Sequence, residues 1–312
     1  MEKIICIVGP TASGKTGLSI RLAQALGGEV LSCDSMQIYQ GMDIGTAKVT
    51  PAEMQGVQHH MLDLIQPSED YSVSRFVTEA EPILQDILRR GKYAILTGGT
   101  GLYIDSLVAG RTFAPYPTTG KRQELEALAA RKGIGAVIAL LEQFDPDSAR
   151  RLHPSDQKRI IRAAEVYLET GQTITAHNAR TRALPPRHEA LWLGLDFESR
   201  QDLYARIDQR AAQMMAQGLL DEVRRLLAQG ISPRATAMQA IGYKECLATL
   251  DGAMTEAEAL AQICQASRRY AKRQLTWFRR NPAVHWILQT AAPDAEKTFS
   301  QALQIVSAFD KP

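Results

Sequence analysis

Residues 9–16 read Gly-Pro-Thr-Ala-Ser-Gly-Lys-Thr, a full G-x-x-x-x-G-K-[ST] pattern, and both flanks suit it. The apolar run Ile4-Ile5-Cys6-Ile7-Val8 leads in. A stretch with apolar residues at 18, 22, 25 and 26 leads out and stops at Gly27-Gly28. Strand, glycine loop and helix in that order leave few architectures open, because the strand must be buried and the helix must pack back on its sheet. Gly9 and Gly14 let successive N–H groups turn toward one anion, and the helix start adds the positive end of its dipole. Pro10, Thr11, Ala12 and Ser13 complete the loop. Lys15 offers a point charge to phosphate oxygens, and the Thr16 hydroxyl is the expected Mg2+ ligand. The pattern specifies a diphosphate or triphosphate without saying which, or what becomes of it.

Further strands are expected at 29–33, 93–97, 190–195 and 284–288, with a helix over 74–90 between the first two of these. Short buried strands alternating with helices predict an α/β fold, a phosphate-loop, NTPase-like parallel sheet covered by helices on both faces. Functional groups in such sheets collect at the carboxyl ends of the strands, so 9–16, 34–39 and 98–103 are the candidate loops. Prolines at 115 and 117 and at 185 and 186 mark two linkers. Residues 119–170 between them read as wholly helical. The chain is therefore divided into a core of 1–115 with 189–312 and an all-helical insertion at 116–188.

No apolar stretch reaches the roughly 18 residues of a membrane span, and the first residues run into a strand rather than a leader. The four cysteines (6, 33, 246 and 264) lack metal-ligand spacing, which favours reduced thiols and a cytoplasmic setting. The adjacent His59 and His60 cannot both face one metal on a regular element, and are read as structural or substrate-lining. Net charge is only +2, so a polyanion site has to come from local clustering.

Asp34 ends a strand beside the phosphate loop, where a carboxylate can act as a general base or a Mg2+ ligand; a simple turn cap is the alternative. Gly98-Gly99-Thr100-Gly101 permits close approach to a ligand and offers the Thr100 hydroxyl, or is only a tight turn. The strand at 93–97 lacks the terminal Asp with which ordinary phosphate-loop ATPases hold Mg2+. Two basic clusters stand out. One runs Arg150-Arg151-Leu152-His153-Pro154 into Lys158-Arg159-Ile160-Ile161-Arg162. The other spans 267–280, carries no acidic residue, and interleaves Tyr270, Trp277 and Phe278 with its cations. A solvated helix face explains one such run; two in a chain of near-neutral charge point to RNA, with cations on phosphates and rings on unpaired bases.

Taken together, the segments 9–16, 34–39 (Asp-Ser-Met-Gln-Ile-Tyr), 41–48 (Gly-Met-Asp-Ile-Gly-Thr-Ala-Lys), 98–103, 153–159, 240–245 (Ala-Ile-Gly-Tyr-Lys-Glu) and 271–279 resemble the bacterial tRNA dimethylallyltransferases in order and spacing, from residue 4 to about 288. The resemblance implies transfer of a dimethylallyl group from dimethylallyl diphosphate to the exocyclic amine of the adenosine 3′ of the tRNA anticodon. Mg2+ is the implied cofactor, and a monomer suffices. Asp34 then matches the general base, Thr100 a contact to the target adenosine, and Arg210 a diphosphate-binding arginine. RNA contacts are implied for Asp34, Ser35, Met36, Gln37 and Thr100. They are also implied for Arg122, Lys158, Arg159, Ile160, Ile161 and Arg162 in the insertion, which matches a domain gripping the anticodon stem-loop. Gly242, Tyr243, Lys244, Lys272, Arg273, Gln274, Trp277, Phe278 and Arg279 complete the set. Ser155 stands where the family often has Asn. The competing reading is a phosphate-loop kinase acting on a small nucleotide or metabolite.

Overall fold

The computed structural model describes residues 2–111, 113, 119–183 and 185–309. Most of the first proline linker, and Leu184 of the second, lie outside the described residues. The sheet has six parallel strands: β1 Ile4–Val8, β2 Glu29–Ser32, β3 His59–His60, β4 Ala94–Thr97, β5 Leu191–Phe197 and β6 Val284–Gln289, in the order β3-β2-β4-β1-β5-β6. β1 is central and every one of its residues is buried. Its side chains alternate between two cores, as the pleat requires. Ile4, Cys6 and Val8 join Phe76, Leu84 and Ile87, while Ile5 and Ile7 join Leu18 and Leu22. The apolar runs at 4–8, 29–33, 93–97, 190–195 and 284–288 all became strands of this sheet. β3 was not expected: two histidines carry no strand periodicity, and they pair with Val30 and Leu31 only because β2 is there to receive them.

The chain separates into two compact units, Met1–Gly110 with Arg187–Pro312, and Arg111–Pro186. The sequence reading set the second boundary two residues later. Arg187 and His188 stay with the sheet-bearing unit because His188 is buried between Glu2 and Glu81, at 2.9 and 3.1 Å. In the helical unit, Leu125, Val137, Leu141, Ala149, Ile160 and Ala164 form the core, and Phe144 stacks on Tyr167 with centroids 3.9 Å apart. Among the described residues, no helix is long and apolar enough to cross a membrane.

Candidate active site at the strand ends

Because β2, β4 and β1 are neighbours in a parallel sheet, their carboxyl ends deliver Asp34, the turn at 98–100 and the glycine loop to one place. The loop's shape depends on its glycines. Gly9 has φ 145°, and a Cβ there would lie 2.4 Å from the Leu195 carbonyl oxygen of β5. Gly14 has φ 87° and caps the helix Lys15–Leu26, while Ala12 takes a left-handed φ of 64° without being glycine. That strained residue is braced: the Arg206 Nε–H donates to the Ala12 carbonyl at 3.2 Å, and Gln289 Nε2 donates to the Ser13 carbonyl at 2.9 Å.

Gln274 ties two of the loops together. Its amide oxygen accepts the Thr11 N–H at 2.8 Å, and its amide nitrogen donates to the Gly99 carbonyl at 3.0 Å. A Cβ on Gly99 would sit 2.1 Å from that nitrogen, so the bare turn is what lets the helix Glu256–Phe278 approach. Gly98 is equally constrained, with a notional Cβ 2.3 Å from the Cys33 carbonyl oxygen. Thr100 Oγ1 accepts the Ser35 N–H at 3.1 Å and donates to Ser35 Oγ at 3.2 Å, fixing the turn against the Asp34 loop.

Asp34 Oδ1 accepts the Met36 N–H at 2.8 Å, so one oxygen does cap its own turn. The other has no hydrogen-bond partner among the described residues. Two cations lie close enough to feel this carboxylate's charge. Lys15 Nζ donates to the carbonyls of Gly9 (3.0 Å) and Pro10 (2.7 Å). Burial, and then the neighbouring Arg210 charge, pull the Lys15 ammonium down to about 7, with Asp34 opposing. Burial also pulls Arg210 down while Asp34 supports its charge. Tyr270 reaches the Gly99 carbonyl at 3.5 Å, and burial together with Asp34 pushes its phenol up to about 12, so it remains a neutral donor. Two crowded positive groups and one carboxylate at a glycine loop form a cradle suited to a small polyanion.

Thr16 is exposed on the first turn of the loop's helix. No group of three or more His, Cys, Asp or Glu side chains able to hold a metal occurs among the described residues. The Thr16 hydroxyl is one hard oxygen of the kind that Mg2+ takes beside a ligand's phosphate oxygens.

The basic clusters differ from their sequence reading. On the helix Glu256–Phe278, Ala271, Gln274, Leu275 and Phe278 make the inward stripe. Lys272, Arg273 and Arg279 are exposed. Arg273 lies over the Tyr270 ring at 5.5 Å, and Arg279 pairs with the buried Asp196 at 2.8 Å. Trp277 donates its indole N–H to Asp105 at 2.8 Å and packs on Gly101. Phe278, Tyr243, Ile160 and Ile161 are core residues, at 2%, 0%, 0% and 6% exposure, and Gln274 and Gly242 are buried too. Helical spacing turns the side chains of Phe278, Gln274, Tyr243, Ile160 and Ile161 inward, and Gly242 caps a helix start, so the six are buried here although the sequence reading put them among the RNA contacts. Within the helical unit, Arg122 and Arg162 share the buried Glu165, at 3.6 and 3.0 Å, and Arg159 pairs with Asp156. Lys158 is exposed, and with Arg122, Gln157 and Ile161 it lines a groove of about 330 Å³. Lys244 is exposed beside Glu245, and Met36 and Gln37 are half-buried.

Sheet, glycine loop and strand-end carboxylate define a phosphate-loop-like α/β protein. Comparison with known proteins narrows this. The IPP transferase family profile matches residues 37–281 and an isopentenyl transferase profile matches residues 2–69. A tRNA dimethylallyltransferase of Anoxybacillus flavithermus is 45% identical over 98% of this chain and 96% of its own length. That of Geobacter sulfurreducens is 45% identical over 96% of each. The crystal structure of a tRNA isopentenylpyrophosphate transferase from Bacillus halodurans superposes with TM-score 0.74 and 41% identity, covering 99% of this chain and 96% of that one. A eukaryotic dimethylallyltransferase, seen in crystallographic snapshots acting on tRNA, superposes with TM-score 0.83 and 28% identity, covering 99% and 80%. The chain belongs to the IPP transferase family. The kinase alternative is set aside.

Proposed function

We infer that the chain is a tRNA dimethylallyltransferase, which moves a dimethylallyl group from dimethylallyl diphosphate to N6 of the adenosine 3′ of the anticodon. The observation that carries the reaction's placement is the convergence of the Asp34 loop, the 98–100 turn and the glycine loop with Lys15 at the ends of neighbouring parallel strands, with the Arg210 charge near by. In the proposed step the allylic C1–O bond breaks and its electron pair leaves on the diphosphate. Lys15, Arg210 and the loop N–H groups are placed to stabilise that charge as it develops. Mg2+, when bound, adds electrostatic stabilisation of the same leaving group. The adenine N6 lone pair forms the new N–C1 bond, and Asp34 takes the departing N6 proton. N6 is a weak nucleophile, so positioning is the larger part of the task, and the base must leave its stack to reach C1. The Thr100 hydroxyl, held by Ser35, is the group assigned to orient the adenine. Lys272, Arg273 and Arg279, and Lys158 and Arg159 in the helical unit, supply exposed charge for the RNA backbone.

Asp34→Asn tests the assignment. It should lose most turnover, on the order of 10²-fold or more, while RNA binding by filter retention stays within about twofold. Turnover near that of the unsubstituted enzyme would remove Asp34 from the proton transfer.

A further inference from the structure

The segment 41–48 takes no part in the chemistry above, yet it is held by a buried carboxylate from far along the chain. Glu222, on the helix Leu219–Ala228, is 1% exposed. Its Oε2 accepts the N–H groups of Asp43 (3.0 Å) and Ile44 (2.8 Å). Its Oε1 accepts the Gly45 N–H at 3.2 Å and the Tyr243 hydroxyl at 2.6 Å. Tyr243 is fully buried, and its phenol is pushed well above its usual range by burial and by Glu222, so it stays a donor. Gly45 packs closely against the Tyr243 ring. A Cβ at Gly45 would fall 2.4 Å from Tyr243 Cε2. Four donors converging on one carboxylate leave the turn a single seat.

That turn in turn holds Gln37. Gln37 Nε2 donates to the carbonyls of Thr46 (3.2 Å) and Ala47 (3.3 Å), while its Oε1 accepts from Ser32 Oγ at 3.0 Å. Lys48 reaches back to the Tyr39 carbonyl at 2.8 Å and pairs with Asp43 and Asp63. Gln37 lies one residue beyond Met36, whose N–H holds Asp34. Hydrogen bonds, joined by the backbone of the turn and of residues 36–37, therefore link Glu222 to the loop that carries Asp34.

We propose that Glu222, braced by Tyr243, is a positioning residue for the transfer reaction, setting Asp34 through the 43–47 turn and Gln37. The proposal rests on the reading of Asp34 as proton acceptor. Glu222→Gln keeps the side-chain shape but turns an NH2 toward two of the four donors, which lets the turn shift.

The test is a double-mutant cycle of single-turnover prenyl transfer with Asp34→Asn, alongside KM for dimethylallyl diphosphate and thermal melting. Glu222→Gln should lower the transfer rate by about tenfold to a hundredfold, the scale of misplacing a reacting group by an ångström or less, with donor KM changed by less than about twofold. In the Asp34→Asn background the same substitution should cost less than about twofold. Equal loss in both backgrounds, or a well-folded Glu222→Gln with an undiminished rate, overturns the positioning role and leaves Asp34 as the base. Full turnover in Asp34→Asn alone overturns the base assignment itself. If Glu222→Gln does not fold, Tyr243→Phe removes one of the four hydrogen bonds and carries the same cycle, with a smaller loss confined to the Asp34 background.

Discussion

Lys15 gives the account a pH dependence that can be worked out in advance. Its ammonium sits at about 7 rather than the ordinary 10.5, because burial and Arg210 disfavour the charge more than Asp34 favours it. A bound diphosphate reverses that balance and restores the charged form. Binding is then coupled to uptake of one proton above pH 7. The free lysine is about half protonated at pH 7 and about one-hundredth protonated at pH 9, so donor affinity should fall by roughly fiftyfold between them. The sign for folding runs the other way. A depressed folded-state value means that the unfolded chain holds the extra proton between about 7 and 10.5, so this group's contribution to stability rises with pH across that window and is lost as pH falls through 7. Calorimetric titration of dimethylallyl diphosphate at fixed Mg2+, without RNA, in buffers of differing ionisation enthalpy, reads both affinity and proton uptake. Lys15→Arg is the control, since a guanidinium stays charged, and it should bind with little change from pH 7 to 9. Asp34→Asn removes the charge that supports the ammonium and should move the transition to lower pH. The same flat profile in the unsubstituted protein and in Lys15→Arg would refute the reasoning.

Three further outcomes follow from the same geometry. Gln274→Ala strands the Thr11 N–H and the Gly99 carbonyl, and should cost about 1–3 kcal/mol in urea unfolding while weakening donor binding; an unchanged midpoint would mean the two loops are held by something else. Gly101→Ala places a Cβ 2.3 Å from Trp277 Cδ1 and should destabilise by about 1–3 kcal/mol, with Trp277→Ala in the same chain relieving most of the clash. Arg273→Ala should weaken anticodon stem-loop binding and reduce the slope of log affinity against log salt by about one, leaving donor affinity unaltered; a fall in donor affinity would place Arg273 at the diphosphate instead.

How far the sequence discloses this molecule depends on the range of each interaction. β1 and its glycine loop are legible because strand, turn and helix lie within one short stretch and carry their own period. The inward stripe of Ala271, Gln274, Leu275 and Phe278 was equally available from helical spacing, but the cations and rings drew the reading to the outer face instead. Trp277 and Tyr270 read as stacking rings, and the structure spends their polar ends on Asp105 and Gly99. β3 has only two residues and exists through its neighbour. Glu222 was invisible for a different reason. Its three backbone partners lie 177 to 179 residues away, and no local pattern marks a carboxylate that will receive a backbone turn. The pairing of Arg122 and Arg162 with Glu165 is the same kind of long- and short-range mixture, and it reduces the free charge that a count of basic residues suggests.

Prenyl transfer by this chain is read most directly in the mass of the RNA. The protein is incubated with Mg2+, dimethylallyl diphosphate and an anticodon stem-loop bearing adenosines 3′ of the anticodon, and the RNA is weighed and its modified nucleoside identified. The RNA should gain one dimethylallyl unit on N6 of the first of those adenosines, dependent on the donor and lost in Asp34→Asn. RNA of unchanged mass, with ATP hydrolysed or a phosphate transferred in a parallel reaction, would contradict prenyl transfer.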